Sequence, residues 1–197
     1  MSGKKLAILD FDGTIYRGDS MRNFARSLNA GKYYLSLVKL SIPYLQLLFG
    51  YGSRDELKAL FLKYNFAGYS ATDLNEKGRK FYDKSIKRCY PSALEWIARE
   101  QRENTKLLIL SGSCHPWLKP FARAFGADLI CTELAYENDI CTGEWIGKNM
   151  TGNTKKEALQ AYLQQHPDIT YSIAFGDQNS DAISGALADE YHQNYFH

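Results

Sequence analysis

Leu6-Ala7-Ile8-Leu9-Asp10-Phe11-Asp12-Gly13-Thr14 is the stretch that decides the fold. Leu6 to Leu9 is an unbroken apolar run, the pattern of a strand buried on both faces. Asp10 and Asp12 come directly after it. Residues two apart in a strand share a face, so these carboxylates can converge on one point, and Gly13 lets the chain turn sharply after them. A buried strand that ends in acids places them at a sheet's carboxyl edge, where open α/β sheets bind ligands.

Working outward, the same kind of run recurs. Leu107 to Leu110 ends in Ser111-Gly112-Ser113, and Tyr171 to Phe175 ends in Gly176-Asp177. Residues 128 to 132 and 190 to 193 read as further strands. Residues 134–137 and 140–146 read as a hairpin turning at Asn138-Asp139. Helices are expected at 91–103, at 115–125 closed by Gly126, at 154–165 capped by Asn153 or Thr154, and at 179–188. Strands alternating with helices predict an α/β fold: a Rossmann-like three-layer core with a mostly parallel sheet.

Residues 19 to 88 break that alternation. Asp19 or Ser20 caps an expected helix to Leu28, and Ser53 with Glu56 fits a capping box that opens another through Tyr64. Residues 70–87 form a more polar helix. Residues 33–49 are the most apolar part of the chain, read as two short helices broken near Pro43. The expected organisation is therefore a catalytic core of residues 1–18 and 89–197 with an all-helical cap, 19–88, inserted after the first strand.

Composition removes some function classes. The net charge of +2 over 197 residues gives no argument for a nucleic-acid partner. The four cysteines form no Cys-x-x-Cys pair, so reduced thiols in a cytoplasmic protein are expected rather than a zinc or redox site. The Met-Ser-Gly-Lys-Lys start has no apolar signal region. Lys39, Pro43 and Gln46 interrupt the apolar stretch, which falls short of the roughly 20 residues of a membrane span.

Parallel strands put Asp10, Asp12, Ser111 and Asp177 on one edge. Asp181, four residues past Asp177, points back to that edge, and Lys155 opens the helix before the last long strand. Each close carboxylate pair costs about 4 kcal/mol at an effective dielectric of 20. A divalent cation relieves this, and oxygen donors with no His or Cys among them favour Mg²⁺. Cation and lysine together attract a phosphate, to which the Ser111 hydroxyl and the Gly112 amide can donate. In-line attack on phosphorus by a carboxylate fits this set. Taken singly, the bland readings are a strand-end cap for Ser111, a solvated helix residue for Lys155 with Lys156 as rival, and a helix-start charge for Asp181. His115 reads as positional.

These motifs resemble those of the haloacid dehalogenase superfamily, in its phosphoserine-phosphatase-like branch. The first reads Asp10-Phe11-Asp12-Gly13-Thr14, the second an apolar strand ending in Ser111, and the fourth Gly176-Asp177-Gln178-Asn179-Ser180-Asp181. The third, a Lys three residues after Gly152 and four before Leu159, selects Lys155 over Lys156. The resemblance implies a Mg²⁺-dependent phosphomonoester hydrolase. Asp10 is then the nucleophile, and Asp12 protonates the leaving oxygen and later activates water. Mg²⁺ is held by the Asp10 carboxylate, the Asp12 backbone carbonyl and Asp177, with Asp181 orienting its shell. Ser111, Gly112 and Lys155 hold the phosphoryl group.

Three departures bear on the substrate. Phosphoserine phosphatases commonly carry Ser at the Gly13 position, Glu where Asp19 stands, and Asn where Ser180 stands. Asp19, the substrate-selecting candidate, argues for a small amine-bearing phosphate. The apolar stretch argues for an acyl chain or a membrane surface, unless Tyr34, Leu37, Val38, Leu45, Leu48 and Phe49 form the cap's own core. The expected partner is a small-molecule phosphate ester, with a lipid phosphate as alternative and a monomer favoured. A phosphomutase uses the same intermediate. A phospho-accepting receiver module lacks both the helical insertion and a second Asp.

Overall fold

Strand β1 (Lys4–Leu9) alternates its side chains between two cores: Ala7 and Leu9 enter one, Leu6 and Ile8 the other. Helices α1 (Ser20–Leu28), α2 (Ala30–Leu48), α3 (Arg54–Phe66), α4 (Ala71–Ser85) and α5 (Pro91–Arg102) come after it. Next are β2 (Lys106–Cys114), α6 (His115–Ala124), β3 (Asp128–Thr132), β4 (Leu134–Glu137), β5 (Ile140–Trp145) and α7 (Asn153–Gln165). The chain ends with β6 (Ile169–Gly176), α8 (Asn179–Gly185) and β7 (Glu190–Gln193). The structure, a computed structural model, describes residues 3–177 and 179–197, and the side chains of these except 179 and 180.

The five-stranded sheet has the order β3-β2-β1-β6-β7, and every pairing in it is parallel. Period-two alternation continues in β2, where Leu107 and Ile109 face one core and Leu108 and Leu110 the other. Trp96 of α5 and Trp117, Leu118 and Phe121 of α6 cover one face. Leu159 and Tyr162 of α7 cover the other. This is the expected three-layer α/β architecture, and it gathers the ends of β1, β2 and β6 along one edge.

Helices α1 to α4 do not keep a core to themselves. Phe24 of α1 and Phe66 of α3 stack on Trp117 at 5.0 and 5.4 Å between ring centroids, continuous with the sheet's larger core. Gly78 of α4 packs on the backbone of Pro116, where any Cβ would collide. The segments entering and leaving this helical stretch run side by side: Arg17 N donates to the Arg88 carbonyl at 2.9 Å and Tyr90 N to that of Ile15 at 2.9 Å.

Three local expectations are corrected. Residues 33–48 lie in one helix, not two, with Pro43 inside it. A proline removes one backbone bond and costs about 3 kcal/mol or more. The helix continues past it, with Leu40 buried one turn before the proline and α2 packed along α3. Helix α7 starts at Gly152, φ +49°, with no side-chain cap, so neither Asn153 nor Thr154 caps it. Tyr34, Val38, Leu45, Leu48 and Phe49 are exposed, so of the two readings of the apolar stretch the one that makes these and Leu37 the cap's own core is not met: only Leu37 packs inward. The capping box at Ser53 and Glu56, the Asp19 cap of α1 and the Asn138-Asp139 turn of the β4–β5 hairpin are as expected. Among the described residues no helix is long and apolar enough to cross a membrane.

Candidate active site

The ends of β1, β2 and β6 and the start of α7 meet in a hollow of about 530 Å³. Its walls carry Asp10, Asp12, Ser111, Gly112, Lys155, Asp177 and Asp181, with Asp19 and Lys58 on the side of the helical segment. The sequence-predicted residues therefore come together. Carboxylate oxygens of Asp10, Asp177 and Asp181 all lie within 4.8 Å of one another. The buried Lys155 ammonium sits among them, 2.6 Å from Asp10 Oδ1 and 2.7 Å from Asp181 Oδ1. Lys156, one position on, is not among the lining residues.

Charge in this cluster is unbalanced: three carboxylates face one lysine. Burial pushes the Asp10 carboxyl above its ordinary range, and Lys155 only partly pulls it back. Asp177 is pushed up to about 6 by burial and then by the charges of Asp10 and Asp181. Burial alone would lower the Lys155 ammonium, but Asp10 and Asp181 outweigh it and hold it above the usual lysine value. The Asp177 Oδ1 atom is buried with no hydrogen-bond partner among the described residues. A hard divalent cation fits this set: the donors are oxygens, they converge, and one has nothing else to bind.

Gly13, at φ +80°, lies against the Asp177 carboxylate, and a Cβ there would collide with it. The glycine is thus required by the approach of β1's turn to β6's end. A serine at this position needs Asp177 moved.

Asp12 faces the other side of the hollow. Its Oδ1 accepts from Ser20 N at 2.6 Å, and its Oδ2 accepts from the Ser113 hydroxyl. Ser20 Oγ in turn accepts from Trp117 Nε1 at 3.0 Å and lies 3.1 Å from Ser113 Oγ. Burial, then the nearby Asp19 charge, pushes the Asp12 carboxyl up to about 7. Asp19 caps α1, accepting from Arg22 N at 2.9 Å, while lining the hollow. Ser111 is buried, with its Oγ accepting from Ser113 N at 3.1 Å. The Ser180 side chain lies outside the described residues, so the fourth-motif departure there has no structural reading.

Sequence reasoning missed Lys58 and Asn149. Lys58 reaches in from α3, and its ammonium donates to the Gly112 carbonyl at 2.6 Å, to Thr132 Oγ1 at 3.2 Å and to Asn149 Oδ1. Asn149 also donates to Asp55 Oδ1, one turn before Lys58, at 2.7 Å. Burial pulls the Lys58 ammonium below its ordinary value. The one signal in the sequence was the Asp55 and Lys58 spacing of three, which puts both on one helix face. Lys58→Met keeps the stem and removes the donors, leaving the Gly112 carbonyl and Asn149 Oδ1 with the single Thr132 hydroxyl between them. It is expected to lower stability by about 2 kcal/mol in urea unfolding and kcat/KM by about tenfold. Unchanged values for both would show that the ammonium neither holds Gly112 in place nor supports the site.

Comparisons with known proteins give the family. A family model described as haloacid dehalogenase-like hydrolase matches residues 7–182. Protein CicA of Caulobacter vibrioides is 27% identical over 192 residues, covering 94% of this chain and 83% of that protein. A phosphoserine phosphatase of Campylobacter jejuni subsp. doylei is 24% identical over 177 residues, covering 87% and 79%. Among solved structures, a protein of unknown function from Bordetella pertussis Tohama I superposes with a TM-score of 0.82 at 18% identity, covering 96% of this chain and 89% of that one. A substrate-bound phosphoserine phosphatase complex gives 0.66 at 18%, covering 95% and 84%. The match over residues 7–182 covers most of the chain, and the protein is an enzyme of the haloacid dehalogenase-like hydrolase family.

Proposed function

We propose that this enzyme is a Mg²⁺-dependent phosphomonoester phosphatase that works through an aspartyl-phosphate on Asp10 and acts on a small phosphorylated metabolite. The carrying observation is the buried cluster in which Lys155 holds Asp10 and Asp181 beside the unpartnered oxygen of Asp177. Asp10, Asp177 and the Asp12 carbonyl would hold Mg²⁺, with Asp181 orienting that set. When bound, the ion neutralises carboxylate and phosphate charge that would otherwise repel.

The protein's own groups account for the rest. A carboxylate oxygen of Asp10 attacks phosphorus while the bond from phosphorus to the ester oxygen breaks. Asp12, held by Ser20 and Ser113, gives its proton to that leaving oxygen. A carboxyl pushed up to about 7 suits the task, because it carries a proton near neutrality and can take one back. In the second half Asp12 accepts a proton from water, whose oxygen attacks phosphorus and releases Asp10. Ser111, the Gly112 amide and Lys155 bind the phosphoryl oxygens through both steps. Residues 19–88 act as the cap over this site, hinged where residues 15–17 and 88–90 lie side by side, and Asp19 selects the substrate from it.

The lining favours a small polar substrate over an acyl chain: among the described residues Met21 is the one large apolar side chain in the wall, beside Asp19, Arg22 and Lys58. The Campylobacter jejuni relative named phosphoserine phosphatase points the same way. The test separates the two lysines. Lys155→Ala is expected to weaken inhibition by inorganic phosphate or vanadate by at least about tenfold, and Lys156→Ala to leave it within about twofold. Equal effects would reject Lys155 as the phosphate ligand.

A further inference from the structure

The most conspicuous surface outside the site is the outer side of α2. Ser36 and Leu40 are its buried residues, with Tyr33 and Leu37 packed partly inward. Opposite them Leu35, Val38, Ile42, Leu45 and Phe49 recur at spacings of three and four and stay more than half exposed, Phe49 reaching 78%. The helix thus has two apolar stripes, of which the fold covers one. Soluble monomers rarely leave a contiguous patch of this kind bare.

Charge identifies the occupant. From residue 30 to residue 53 the only charged side chains are Lys32 and Lys39, Arg54 is next, and the first carboxylate is Asp55. Tyr34 and Tyr51, both exposed, supply aromatic rings with a polar tip near the stripe. Lys32 is turned onto the protein, donating to the Ala67 carbonyl at 3.1 Å over the Tyr69 ring, so the cation that α2 leaves to solvent is Lys39. An apolar face with that cation, no carboxylate and tyrosine at its edge matches a helix lying in the plane of an anionic bilayer surface. Crossing the bilayer is excluded for α2, whose inner side is spent on the protein core. A second copy fits less well, because neither stretch carries a carboxylate to meet the exposed Lys39 of the other.

We propose that α2 docks the enzyme on an anionic membrane surface, apolar stripe down. No residue of α2 lines the active-site hollow, so docking and hydrolysis are separable. The test is co-sedimentation of the full chain with vesicles of phosphatidylcholine alone and with phosphatidylglycerol added, comparing wild type with the double variant Val38→Glu, Phe49→Glu. Expected are binding to the anionic vesicles that weakens in high salt, and at least about tenfold weaker binding by the variant, with hydrolysis of a soluble aryl phosphate unchanged. Equal binding by variant and wild type overturns the proposal. So does absence of vesicle binding, whether the protein sediments as a monomer or as a dimer that the same variant dissociates; the dimer would assign the face to a second copy.

Discussion

Asp10→Asn is expected to lower turnover of an aryl phosphate by at least about a thousandfold, to the level of the assay background. Asparagine keeps the size and one oxygen of the side chain but removes the charge that attacks phosphorus. Loss of fold does not explain the result, because the same change relieves the site. The Asp10 carboxyl is held above its ordinary range by burial, so its ionised form is a cost to the native state near neutrality. That cost falls as pH drops and the group binds a proton. Lys155 keeps Asp181 as a partner at 2.7 Å. The variant should therefore unfold in urea at a midpoint no lower than wild type. Asp12→Asn should also lose most activity, by a factor of about 10²–10⁴, because neither protonation of the leaving oxygen nor activation of water survives. A substantial residual rate in Asp10→Asn would mean that phosphorus is attacked by something other than this carboxylate.

The second large effect is metal removal. Chelation by EDTA is expected to take activity to background, and added Mg²⁺ to restore it. Zn²⁺ alone should not restore it, since the convergent donors are carboxylate oxygens with no sulfur or imidazole in the set. Binding should also register without turnover. Mg²⁺ occupying a cluster of three carboxylates and one lysine should raise the thermal midpoint, and Asp177→Asn should abolish that rise. Full activity in chelator, or an unaltered midpoint with Mg²⁺, would contradict the assignment.

Much of this site was legible because it rests on short-range patterns. The Leu6–Leu9 run forces a strand buried on both faces, and the residues just after such a strand must lie at the sheet edge. The same logic brings Ser111 and Asp177 to that edge from β2 and β6, while Lys155 was separated from Lys156 only by the family motif that the chain resembles around Gly152 and Leu159. The features that were not legible depend on tertiary meetings. The spacing of Asp55 and Lys58 puts both on one helix face, but it does not say that Lys58 will reach Gly112 and Asn149, 54 and 91 residues further on. Gly13 reads as a turn residue, and the pressure of Asp177 against it is visible only once β1 and β6 lie side by side. Pro43 misleads in α2 because a local breaker says nothing of the inner contacts that carry the helix past it. The apolar residues of α2 divide between core and surface, and periodicity alone does not say which stripe the fold covers.

The central claim is covalent chemistry at Asp10, and the most direct measurement is of the intermediate itself. Enzyme mixed with a rapidly turned-over phosphomonoester and quenched in acid within one turnover should carry one phosphoryl group, found by mass spectrometry on the peptide containing Asp10. The adduct should be absent from Asp10→Asn and labile to hydroxylamine, as an acyl phosphate is. Rapid turnover with no phosphoenzyme at any quench time, or a phosphoryl group on another residue, would contradict the account.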